Sequence, residues 1–158
     1  MATSSAIQLA DLALEWANGA ADLVMIDGDL ASDAGMRTAV LLSLFTDRRA
    51  EPDDKPPSGD PNDRRGWWAD EFAPVEGDRI GSRLWLLDRS KRTDETGRLA
   101  EEYSREALAW MLEDRVVASI DVEIEMTEKA LLIGVTLGRP GRDPVAFKFA
   151  RVWTQEGL

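Results

Sequence analysis

The chain has 158 residues, 44% apolar and 31% charged, which suits a folded domain with a real core and excludes a disordered chain. A net charge of −11 argues against nucleic acid as a partner, and no apolar run approaches the roughly 20 residues that span a bilayer. With neither histidine nor cysteine, disulfides, thiolate catalysis, Cys-type zinc sites and the commonest general base are all removed.

The segment Met1 to Ile7 lacks a basic region, and the apolar positions after it are interrupted by Asp11 and Glu15, so no secretory signal is expected. Residues 12–26 read as a hairpin. Leu12, Leu14 and Trp16 alternate with Ala13 and Glu15, Asn18-Gly19 supplies a favoured tight-turn pair, and Ala21 to Ile26 returns. Ala6 to Trp16 also fits an amphipathic helix. Asp33 is placed to cap a helix from Ala34 to Phe45, with Met36, Val40 and Leu44 on one face and Leu41 and Phe45 widening it.

Residues 46–78 hold five of the seven prolines together with Gly59, Gly66 and Gly77, and are expected to form a long loop. Loops of that length within a domain are usually functional or disordered. Gly81 to Asp88 reads as a short helix carrying Leu84, Trp85 and Leu87. Thr93 then caps a long helix to about Asp114, with Leu99, Tyr103, Ala107, Trp110 and Met111 on one face.

Three strands follow. Ala118, Ile120, Val122, Ile124 and Met126 alternate with Ser119, Asp121, Glu123 and Glu125, a two-residue period with one wet face. Leu131 to Leu137 and Val145 to about Trp153 make the second and third. Turns at 127–129 and 138–143 join them into an antiparallel meander. The expected class is α+β: one domain, 1–158, with an N-terminal hairpin and helices packed on a C-terminal three-stranded sheet.

Charge is uneven along the chain. Residues 1–36 carry six acids and no base, while residues 37–98 carry 13 acids and 12 bases. The middle segment is therefore near-neutral and arginine-rich, which suits protein contacts. Within it, Asp63-Arg64-Arg65-Gly66-Trp67-Trp68 places two arginines beside two tryptophans in a loop, the residue types enriched at interface hot spots. Arg48, Arg49, Arg79 and Arg83 are expected to join the same surface. The bland reading is that one tryptophan folds back as the loop's anchor.

Other candidate sites fail on their own terms. Asp27-Gly28-Asp29 with Asp33 has the look of a calcium loop, but Ala31, Ser32 and Thr38 occupy the positions that need a ligand, a glycine and a bidentate acid. A turn followed by a helix cap explains it. Asp121, Glu123 and Glu125 lie on one strand face and read as a solvated surface rather than a glycosidase pair. Ser43 and Ser82 have no histidine to activate them, and no Gly-rich phosphate loop occurs. No catalytic, cofactor or metal residues are therefore nominated.

Four blocks carry a resemblance: Asp27-Gly-Asp-Leu-Ala-Ser-Asp-Ala-Gly, Thr38-Ala-Val-Leu-Leu-Ser-Leu-Phe-Thr-Asp-Arg-Arg-Ala, Asp63-Arg-Arg-Gly-Trp-Trp, and Gly77-Asp-Arg-Ile-Gly-Ser-Arg-Leu-Trp-Leu-Leu. In this order, across residues 12–153, the chain resembles the Mu-like phage baseplate protein family. That family is similar to the T4 baseplate wedge protein from which the tail sheath polymerises, and to the equivalent part of type VI secretion baseplates.

The resemblance implies a non-enzymatic wedge subunit repeated around a six-fold virion baseplate and assembled in the host cytoplasm. Its partners would be other wedge proteins and the first ring of sheath protein. The wider family's Glu, Pro and Arg signature is not matched as a block; Glu51-Pro52 and Arg79 or Arg83 are its candidate counterparts. A carboxylate-dependent peptidoglycan hydrolase and a small acidic adaptor are the rival readings.

Overall fold

A computed structural model describes residues 13–17, 20–24, 33–72 and 79–152. The chain forms two compact units, residues 1–40 and 41–158, with the boundary inside the first helix. In the first unit, β1 (Ala13–Ala17) pairs antiparallel with β2 (Ala20–Val24), Ala17 opposite Ala20 and Ala13 opposite Val24. This is the expected hairpin, so the helical alternative for residues 13–16 falls. Asn18 and Gly19 of the expected turn, and residues 27–29 of the calcium-like segment, lie outside the described residues.

Helix α1 (Asp33–Phe45) begins at the residue expected to cap it. Met36, Val40 and Leu44 are buried, as their spacing requires, while Leu42 points outward.

The second unit holds the rest. Thr93 caps α2 (Asp94–Leu108), its Oγ1 accepting from the Thr96 backbone N–H at 3.2 Å. The expected long helix breaks at Ala109, and a single further turn, α3 (Trp110–Glu113), follows. No glycine or proline marks the break. Its visible correlate is tertiary: Trp110 Nε1 donates to Ser43 Oγ on α1 at 3.0 Å, and Met111 is fully buried.

Strands β3 (Ser119–Met126), β4 (Ala130–Gly138) and β5 (Val145–Val152) form an antiparallel meander in the order β3-β4-β5. Leu131, Ile133, Val135 and Leu137 fill the inner face of the central strand, with Val122 and Phe149 buried beside them. Asp121, Glu123 and Glu125 are exposed on the opposite face.

Helix α2 packs on β3 through small side chains. Ala100, Ser104 and Ala107 are buried, and a Cβ at Gly97 would lie 3.3 Å from Met126 Cε. Phe45 at the end of α1 meets Phe149 of β5 at 5.9 Å between ring centroids. The inward Arg151 of β5 is neutralised by Asp88 at 2.8 Å.

Candidate assembly surface

The loop expected over residues 46–78 is largely described, and arginines organise it. Proline has no N–H and cannot build a ladder or a helix interior, so a proline-rich segment leaves carbonyls without backbone partners. Arg64 collects three loop carbonyls, of which only that of Glu51 also has a backbone donor, Asp54 N–H at 3.0 Å. Its guanidinium donates to the carbonyls of Glu51 at 2.7 Å, Pro52 at 3.3 Å and Asp54 at 3.5 Å. The loop closes where Ala50 N–H donates to Arg64 O at 2.8 Å.

Below the loop lies a short 3-10 turn, Arg83–Leu87, capped by the Ser82 hydroxyl. Trp85, fully buried within it, donates Nε1–H to the Arg48 carbonyl at 2.8 Å. The Arg65 guanidinium covers the Trp85 ring at 4.4 Å and pairs with Asp47 at 2.8 Å.

Arg83 lies deeper. It bonds Asp54 at 3.2 Å and Glu106 at 3.0 Å and stacks on the Tyr103 ring at 4.5 Å. Burial acts to lower its pKa, but the hydrogen bonds and charges of Asp54 and Glu106 outweigh it and hold the guanidinium above its ordinary range. Burial likewise pushes the Tyr103 phenol up, against the opposing charge of Arg83.

Past Arg64 the backbone turns sharply. Arg65 and Gly66 take positive φ of 48° and 102°, and a Cβ at Gly66 would sit 2.8 Å from Arg49 Cβ, so only glycine fits. The kink carries the chain outward into a 3-10 turn, Trp68–Phe72. Asp70 holds that turn by accepting from Ile80 N–H at 3.2 Å.

Three aromatic rings emerge there: Trp67 is 46% exposed, Trp68 73% and Phe72 77%. Their centroids lie 6.0 and 6.4 Å apart, so they form one continuous patch. Large exposed aromatic area of this kind is uncommon on a free surface and marks contact sites.

The eight nominated residues thus separate by exposure and intrachain contact. Trp67 and Trp68 are out. Arg49 is exposed beside Gly66, with no ion-pair partner among the described residues, and Arg79 is exposed with Glu51 at 3.4 Å. Arg48, Arg64, Arg65 and Arg83 turn their guanidinium groups onto the chain itself, Arg48 toward Glu106 at 3.7 Å, although Arg65 stays as exposed as Arg79. The reason is stoichiometric: orphaned loop carbonyls and the acids Asp47, Asp54 and Glu106 need donors, and these arginines are within reach.

Phe72 was missed by sequence reasoning. Its signal was present, a third aromatic four residues after Trp68 in the same polar loop.

The family model for phage protein GP46 matches residues 36–144, a span that takes in the aromatic patch and all eight nominated residues. The chain belongs to the phage protein GP46 family. It is 42% identical over 146 residues to the baseplate protein gp46 of Escherichia phage Mu, covering 90% of this chain and 97% of that protein. It is 35% identical over 125 residues to the Mu-like prophage FluMu protein gp46 of Haemophilus influenzae, covering 79% and 83%. The family expected from the four sequence blocks is therefore the family found.

Proposed function

We propose that the chain is a structural subunit of a contractile phage tail baseplate, located in the virion and joining wedge proteins to the first ring of tail sheath. The observation that carries this is the match to the Mu baseplate protein over nearly the whole of both chains. The geometry supports an assembly role. The Trp67, Trp68 and Phe72 patch, with Arg49 at its margin, is the surface offered to wedge partners. Of the carboxylates a hydrolase would need, Asp121, Glu123 and Glu125 are all exposed on one strand face.

The sheath contact is assigned to the sheet edge. With β4 central, β3 and β5 each present unpaired backbone groups on one side among the described residues. Strand β3 carries three acids that keep it soluble; β5 is less charged and is the better template for strand addition. The subunit is repeated around a six-fold baseplate assembled in the host cytoplasm.

Purified tails of the encoding phage test this. The chain is expected in the baseplate at the copy number of the other wedge proteins, adjacent to sheath, by mass spectrometry and electron microscopy. Tails that lack it, or tails that assemble fully without its gene, would refute the proposal.

A further inference from the structure

The outer face of the three-stranded sheet carries a groove that the aromatic patch and the strand edges do not use. Register sets Glu123, Gly134 and Lys148 side by side, with Glu125, Leu132 and Ala150 in the next row. At about 4.8 Å per strand, the walls formed by β3 and β5 stand roughly 10 Å apart. The space between is an open groove of about 460 Å³.

Gly134 makes the groove. Strand interiors select against glycine, which usually marks a bulge or a close approach by another chain. The fold asks for neither here. Pairing on both sides of Gly134 is unbroken, and its φ is not in the left-handed region. A Cβ there would lie 3.7 Å from Glu123 Cβ and 4.0 Å from its Oε2, ordinary contacts, so the Glu123 carboxylate borders the groove floor.

Charge completes the picture. Asp121 is met by Arg105 at 3.6 Å, whereas Glu123, Glu125 and Lys148 have no ion-pair partner among the described residues.

We propose that this groove docks an extended segment of a neighbouring tail protein, with an apolar side chain over Gly134 and a lysine or arginine meeting Glu123 and Glu125. The inference rests on the baseplate reading. A second copy is disfavoured as occupant, because it would bring a net charge of −11 against the same charge.

A photo-crosslinking residue at Thr136, exposed one row from Gly134, tests it in assembled tails, with a second at Trp68 as control. The expected product joins Thr136 to a different tail protein, through a peptide holding an apolar residue beside a lysine or arginine. Gly134→Leu should cut its yield at least tenfold while leaving the Trp68 product unchanged. Should Gly134→Leu misfold, Glu123→Lys with Glu125→Lys, both at exposed positions, takes its place. A crosslink to a second copy overturns the proposal, as does wild-type yield from the variant. So does a missing Thr136 product in tails that do contain the chain, which leaves the baseplate reading standing. Tails without the chain defeat both.

Discussion

Two tryptophans in this chain should respond to the same substitution in opposite ways. Trp68 keeps 73% of its surface in solvent, so Trp68→Ala removes little that folding buried. Surface changes of that kind fall within about 0.5 kcal/mol, or a shift of at most about 2 °C in melting temperature for a chain this size.

Trp85 has no exposure at all. Trp85→Ala opens a cavity, orphans the Arg48 carbonyl and takes the ring from under Arg65. Large-to-small changes of a buried aromatic cost about 3–5 kcal/mol, which corresponds to a fall of roughly 6–20 °C.

Binding should rank the other way. If Trp68 anchors a wedge contact, its truncation costs at least about 2 kcal/mol of association, a roughly 30-fold weaker Kd. Thermal melts followed by circular dichroism give the first quantity, and pull-down or calorimetry with co-expressed wedge proteins gives the second. A Trp68→Ala protein that melts as early as Trp85→Ala would show that Trp68 is a core anchor. One that folds normally and binds like wild type would dismiss the patch as an interface.

Three further outcomes are expected. Tyr103 is the single tyrosine, and burial raises its pKa in the folded chain. The folded state therefore holds the phenolic proton more tightly, and stability falls as pH rises through and above the ordinary value near 10. Tyrosinate absorbance should titrate above that of the unfolded chain, and coincident curves would refute the burial argument. Arg64→Ala takes a donor from three loop carbonyls, of which Glu51 keeps the Asp54 N–H and water can partly rescue the others, so a loss of about 1–3 kcal/mol is expected, with faster proteolysis within residues 51–63; an unchanged melt and digest would show that the arginine does not hold the loop. Gly81→Ala would drive a Cβ into the Thr46 carbonyl at φ of 100°, so it should cost more than the roughly 1–3 kcal/mol of backbone strain alone, and wild-type melting would refute that geometry.

Much of this fold was legible along the chain because its signals are local. Period-two alternation placed β3, β4 and β5 to within a residue or two, Thr93 announced α2, and the pair Asn18-Gly19 announced the hairpin. The patch was half legible, since Trp67 and Trp68 stood out in a polar loop but Phe72 did not. The break at Ala109 had no such marker: it coincides with a hydrogen bond from Trp110 to Ser43, 67 residues away.

What the sequence determined by itself was therefore most of the elements, the class and the family. Tertiary structure alone decided where the arginines point. A guanidinium looks the same in sequence whether it faces a partner or its own chain. Only the folded loop shows that Arg64 meets three loop carbonyls, that Arg83 sits between Asp54 and Glu106, and that Arg49 has no ion-pair partner among the described residues. The same holds for Gly134, whose meaning lies in Glu123 and Lys148 on the strands to either side. Hydrogen bonds and ion pairs act over about 3–4 Å in space, and that distance has no fixed relation to separation along the chain.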